Sequence, residues 1–136
     1  MEKSKVEGRG SRVFGALLLV CVAVFLAASS AVGASRPAVE QTKIDWLLEE
    51  VGNSKAIFIR NGKEYDASRA VSHLKTKLLF AGRRVQTARQ FIVGVASRSS
   101  ESGLPYEIRL PDGRQAPMEV WLLERLAVYE KGQRTR

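Results

Sequence analysis

The chain has 136 residues, a formal net charge of +8, one cysteine and one histidine. That length makes one domain the natural reading, and an apolar content of 45% supports a packed core over wholesale disorder. A lone Cys cannot close an internal disulfide, and one Cys with one His cannot furnish four zinc ligands.

Met1 to Arg12 carries Lys3, Lys5, Arg9 and Arg12 against Glu2 and Glu7, and an unbroken apolar run follows from Val13 to Ala28. Small residues then dominate from Ser29 to Ser35. This is the layout of a secretory signal peptide: positive start, apolar run, small-residue cleavage site. Val32-Gly33-Ala34 places the cut after Ala34, with Ala31 as the near alternative. As a helix the run would be about 24 Å long, short of the ~30 Å hydrocarbon core. Extension to Ala31 would make it an uncleaved anchor, and the mass of the N-terminus separates the two readings. Cys21 follows Val20 in mid-run, where a lipoprotein needs a small residue, and Ser11-Arg12-Val13 lacks the arginine pair of twin-arginine export. Residues 1–34 are therefore expected as a signal peptide and residues 35–136 as one small exported, periplasmic domain, with its core over 38–130 and a frayed tail at 131–136. Cleavage would remove Cys21, so the domain is expected to fold without disulfides.

Pro37 to Val51 reads as a helix: Ile44, Leu47, Leu48 and Val51 fall at i, i+3, i+4 and i+7, and Gly52-Asn53 stops it. Ala56 to Arg60 is β-rich, Asn61-Gly62 is a strong hairpin signal, and Lys63 to Tyr65 returns. Asp66 caps a helix to about Ala81, closed by Gly82, with Ala70, Val71, Leu74, Leu78 and Ala81 on its apolar face. Thr87, with Gln90 three residues on, opens a further helix that buries Phe91, Ile92 and Val95. Ser97 to Pro105 is a polar loop. Tyr106 to Leu110 alternates as a strand, Pro111-Asp112-Gly113 turns it, and Arg114 to Ala116 pairs back. Pro117 suits the first turn of a last helix, Met118 to Tyr129. Trp46 and Trp121 take helical positions expected in the core. The fold class is α+β, with about four helices and two β-hairpins. Helix, hairpin, helix occurs twice, and Gly62 and Gly113 lie 51 residues apart, so a pseudo-repeat competes with chance recurrence of a common motif.

Four of the 22 basic and two of the 14 acidic residues precede Ala34, leaving 18 and 12 beyond it, a net of +6. From Ala67 to Ser100 there is no acidic residue, yet Arg69, Lys75, Lys77, Arg83, Arg84, Arg89 and Arg98 all fall there. Such a stretch meets anionic lipid, an acidic partner or a polyanion, or else is a solvated face that keeps the protein soluble. Nucleic acid fits poorly, because stacking aromatics do not interleave with these residues and the compartment is wrong.

Phe58 to Gly62 (FIRNG), Ala70 to Leu74 (AVSHL) with Lys77, Thr87-Ala88, Phe91-Ile92, Ala96-Ser97, Ser99-Ser100 and Ser102 to Tyr106 (SGLPY) together resemble the YfeK-like family of small exported bacterial proteins of unknown function. The resemblance spans about Ile44 to Tyr129. It implies an exported, periplasmic protein and no particular activity. Arg83 and Arg89 stand where such proteins often carry acidic residues, so part of the basic stretch belongs to this member alone.

His73 lies on the flank of the second predicted helix, with Lys77 at i+4, Phe80 at i+7 and Arg84 at i+11. It either fixes packing through a loop carbonyl or walls a cationic pocket with Lys77. Ser97, Ser99, Ser100 and Ser102 make either an anion- or sugar-binding loop or an ordinary connector. The ligand-binding candidates are Arg60 at the hairpin tip, His73, Lys77, Arg84, Ser99, Ser100 and Tyr106. Ser72 and Lys75 match a Ser-x-x-Lys spacing without its partner motifs. Acids drawn from Glu64, Asp66, Glu107 and Glu119 are explained by hairpins and helix starts. No catalytic residue, metal ligand or cofactor is assigned. The expected function is a non-enzymatic binding or accessory module contacting an envelope protein or an anionic glycan or lipid; membrane association would require the N-terminal segment to be kept. The alternative is a small periplasmic hydrolase using His73 and a loop serine.

Overall fold

A computed structural model describes residues 35–135. The expected signal segment, residues 1–34, lies outside the described residues. Helix α1 (Ala38–Asn53) buries the predicted quartet Ile44, Leu47, Leu48 and Val51 and runs on through Gly52 and Asn53, to Ser54, whose hydroxyl donates to the Val51 carbonyl at 2.7 Å. Strands β1 (Ile57–Arg60) and β2 (Lys63–Tyr65) form the first hairpin. Asn61 and Gly62 have φ of 51° and 73°, the paired left-handed geometry whose twist matches that of the flanking strands.

Asp66 starts α2 (Ala67–Ala81) by accepting from the Arg69 amide at 2.8 Å, and a short 3-10 turn, Gly82–Arg84, follows it. Thr87 starts α3 (Ala88–Phe91) by accepting from the Gln90 amide at 3.1 Å. Glu40 on α1 accepts from the Ala88 amide at 2.7 Å, and that bond holds its carboxyl below the ordinary range. The sequence predicts that this helix continues as a plain α-helix, but Ile92–Ala96 widens into a π-helical turn. Side chains compete there for its carbonyls: the Ser97 hydroxyl donates to Val93 O, and the Lys77 ammonium donates to Val95 O.

Strands β3 (Glu107–Arg109) and β4 (Gln115–Pro117) make the second hairpin and lead into α4 (Met118–Arg134). This helix outlasts the sequence expectation, which ended it at Tyr129 and left 131–136 frayed. Lys131 and Arg134 sit in its last turn, where positive charge favours the helix's C-terminal dipole, and the Thr135 hydroxyl donates to the Lys131 and Gly132 carbonyls. No helix among the described residues is long and apolar enough to cross a membrane.

The hairpins join into one antiparallel sheet, ordered β2-β1-β3-β4, through Ile57–Arg109, Phe58–Ile108 and Ile59–Glu107. The Phe58–Ile108 pair is the middle of this central ladder, and Ala67 and Met118, which open the helices after each hairpin, are also 51 residues apart. Tyr65, Phe58, Ile108 and Ala116 form the sheet row facing the helices. The opposite face is mixed: Ile57 and Ile59 share it with Glu107 and Gln115, and Arg109 lies 2.7 Å from Glu64. Helices α2 and α4 pack against the sheet, and Leu74 of α2, Met118, Leu122 and Leu126 of α4, and Phe91 and Ile92 are all buried in one core cluster with the inner row. Trp46 and Trp121 flank this core rather than fill it, and the Trp46 ring lies 5.1 Å from that of Tyr129.

Candidate functional site

Side chains alternate across a strand, so Arg60 shares the inner face of β1 with Phe58, and Tyr106 shares that of Ile108. The Ile59–Glu107 pairing sets both one step further along the same ladder. They meet there beneath α2, which presents His73 and, one turn on, Lys77. His73 Nε2 lies 3.0 Å from the Tyr106 hydroxyl, and Arg60 Nη1 lies 3.5 Å from His73 Nδ1. Lys77 Nζ donates to Val95 O at 2.6 Å, Arg98 O at 2.7 Å and Tyr106 Oη at 3.2 Å. It also lies 4.8 Å from the centre of the Tyr106 ring. Loop carbonyls are thus held by Lys77; His73 holds a tyrosine.

The proton inventory of this cluster is one-sided. A guanidinium only donates, so in the tautomer that lets His73 Nδ1 accept from Arg60 the ring proton lies on Nε2, which donates to Tyr106. Tyr106 Oη then accepts from both His73 and Lys77, and its own proton has no acceptor among the described residues. In the other tautomer Tyr106 donates to Nε2, and the Nδ1 proton faces the guanidinium. Either arrangement leaves one donor over. Arg60 Nε adds another, being buried without a hydrogen-bond partner. Among the described residues the carboxylate paired with this cluster is that of Glu101, 3.7 Å from Arg60 Nη2 and 80% exposed.

Burial, followed by the charges of Arg60 and Lys77, pushes the His73 pKa below its ordinary 6.5. Burial and then Arg60 push Lys77 down, while burial pushes Tyr106 up. The folded state therefore favours neutral His73, whereas the unfolded chain takes up a proton near pH 6.5. Stability from this group is complete above that value and declines as pH falls through it toward the depressed folded pKa. A thermal melt series from about pH 7 to pH 5 should show this decline, and His73→Gln should flatten it. Equal slopes in both proteins would remove His73 as the cause.

All seven predicted ligand-binding residues line one groove of about 960 Å³ between α2, the π-helical turn and the 97–105 loop. Their roles differ. Ser99 is buried, and its hydroxyl accepts from Asn61 Nδ2 and from the Glu101 and Ser102 amides, so it organises the loop. Ser100 is exposed on the rim. Arg84 folds back to donate to the Phe80 and Ala81 carbonyls at 3.3 Å. Phe80, expected on the flank of His73, and Arg89, expected in the basic stretch, also line the groove although neither stood among the ligand-binding candidates; sequence reasoning missed Asn61 as the link from the hairpin tip to the serine loop. Turn chemistry alone accounted for Asn61, and the Phe58–Arg60 parity that aims Arg60 inward was present but unused. Among the described residues no group of three or more His, Cys, Asp or Glu side chains is placed to hold a metal ion.

Comparison with known proteins agrees with the motifs from Phe58 to Tyr106. The uncharacterized protein YfeK of Salmonella typhimurium is 39% identical over 89 residues, which cover 65% of this chain and 74% of that protein. No solved structure matches. Residues 38–130 match the description "Family of unknown function (DUF5329)", and to that family, which fits the YfeK-like resemblance of its motifs, the chain belongs.

Proposed function

We propose that this chain is an exported, non-enzymatic binding module of the cell envelope whose groove receives an anionic group. The surplus of donors at Arg60, His73 and Tyr106 carries this reading: only an added acceptor, best a negatively charged oxygen, satisfies it. Arg84 and Arg89 extend the positive potential along the same groove, against Glu101 alone. The N-terminal layout supports export, with the anionic group belonging to an envelope protein, glycan or lipid. The hydrolase alternative has less support. His73 Nε2 faces Tyr106 and Nδ1 faces Arg60, and the Ser99 hydroxyl is taken by Asn61 and loop amides, so no serine–histidine hydrogen bond is formed among the described residues.

Sulfate is a suitable probe because it does not titrate near neutral pH. Its addition should shift the backbone and side-chain NMR signals of Arg60, His73, Tyr106 and Ser99 to Ser102. Arg60→Gln should weaken that binding by about tenfold or more. Shifts confined to the exposed Arg83 and Arg114, or unchanged affinity in the variant, would count against the groove.

A further inference from the structure

A second concavity lies on the other side of the same three side chains. Its volume is about 160 Å³, and Arg60, His73 and Tyr106 form the wall it shares with the groove. The rest is mostly apolar: Phe58 from the inner row of β1, Ala70 and Leu74 from α2, and Met118 from the start of α4. Ile59, Tyr65 and Arg69 complete the lining, with the Arg69 guanidinium 6.0 Å from the centre of the Tyr65 ring.

The size is informative. An apolar protein cavity of about 150 Å³ takes benzene and excludes water. The concavity is open to solvent along one side, so it would surround an aromatic ring or a short branched chain and leave most of a long acyl chain exposed. Burying such a group displaces no hydrogen bond, because Phe58, Ala70, Leu74 and Met118 offer none from their side chains. The shared wall places the unsatisfied donors at the edge of this cavity, so a single small molecule can engage both.

We propose that the groove's ligand is a small organic acid, or a chain-terminal carboxylate, whose ring or short branched side chain occupies the Phe58–Leu74–Met118 cavity while its anionic oxygen meets Arg60 and Tyr106. This rests on the anion-binding reading and narrows it to a ligand class. Two sources share the chemistry: a free aryl or branched-chain carboxylate, and the carboxyl terminus of a peptide ending in an apolar residue.

The test uses acetate, phenylacetate, N-acetyl-L-phenylalanine and toluene as probes on the described domain within the full chain, followed by NMR titration. Phenylacetate or N-acetyl-L-phenylalanine should bind at least about tenfold tighter than acetate and shift Phe58, Leu74 and Met118. Ala70→Leu, which fills the cavity, should abolish that increment and leave acetate binding in place. Preference for N-acetyl-L-phenylalanine identifies a peptide terminus as the source, and preference for phenylacetate a free acid. Equal affinity for acetate and phenylacetate in the unmodified protein would overturn the proposal while the anion reading stands, and that comparison does not depend on the variant folding. Toluene binding as tightly as phenylacetate would overturn the coupling of cavity to donors. Failure of sulfate and of every carboxylate would remove the anion reading and this proposal with it.

Discussion

Phe91→Ala should lower the free energy of unfolding by about 3–5 kcal/mol, a large part of the ~5–15 kcal/mol that a domain of this size has in total. Phe91 is fully buried and stands where α3, packed on α1, passes into the π-helical turn, which itself packs on α2 and α4. Two effects add. The ring's transfer from water is lost, and the neighbours, drawn from three different helices, cannot collapse together to fill the space. Urea denaturation at neutral pH checks the value. Phe80→Ala is the internal control, because Phe80 is 78% exposed and should change stability by less than about 0.5 kcal/mol. Similar losses in the two variants would refute the assignment of Phe91 to the core.

Lys77→Met should cost about 2 kcal/mol and loosen the groove's far wall. Methionine matches the lysine stem as far as Cε and so keeps its packing, and the comparison isolates the ammonium. Opposing effects meet at this position. Burial makes the charge itself unfavourable, as the depressed pKa records, and removing it relieves that cost. Against this, Val95 O loses its charged donor in a partly buried setting, and Arg98 O loses one in an exposed setting where water can replace it. The buried carbonyl decides the sign, since an acceptor left without a partner there carries the full desolvation penalty. Amide exchange should accelerate across 92–99 more than across α1. A uniform change along the chain would mean that Lys77 adds only to global stability.

The parts of the molecule legible in its sequence are those determined within a few residues. The Asn61-Gly62 turn needs two adjacent residues that tolerate positive φ, and the buried face of α1 is written in the spacing from Ile44 to Val51. His73 and Lys77 could be brought to one flank because the helical period does so wherever the helix packs. The π-helical turn was not legible, since its causes include a lysine 18 residues upstream that takes Val95 O. The end of α4 was missed because Gly132 and the basic residues after Tyr129 resemble a tail, and the capping by Thr135 depends on the helix already being there. The apolar cavity was beyond reach for another reason: its walls come from β1, α2 and α4, and its shape exists only once the sheet is assembled.

That assembly bears on how the chain folds in time. Each hairpin closes locally, on the microsecond scale typical of such turns. The β1–β3 ladder instead joins Phe58 to Ile108, so α2, α3 and the serine loop all lie within the segment it closes. Closing so long a segment loses chain entropy before any contact offsets it, which makes this central ladder the slow step. Arg60 and Tyr106 come together only through that ladder, so a chain in which just the two hairpins have closed lacks the donor cluster.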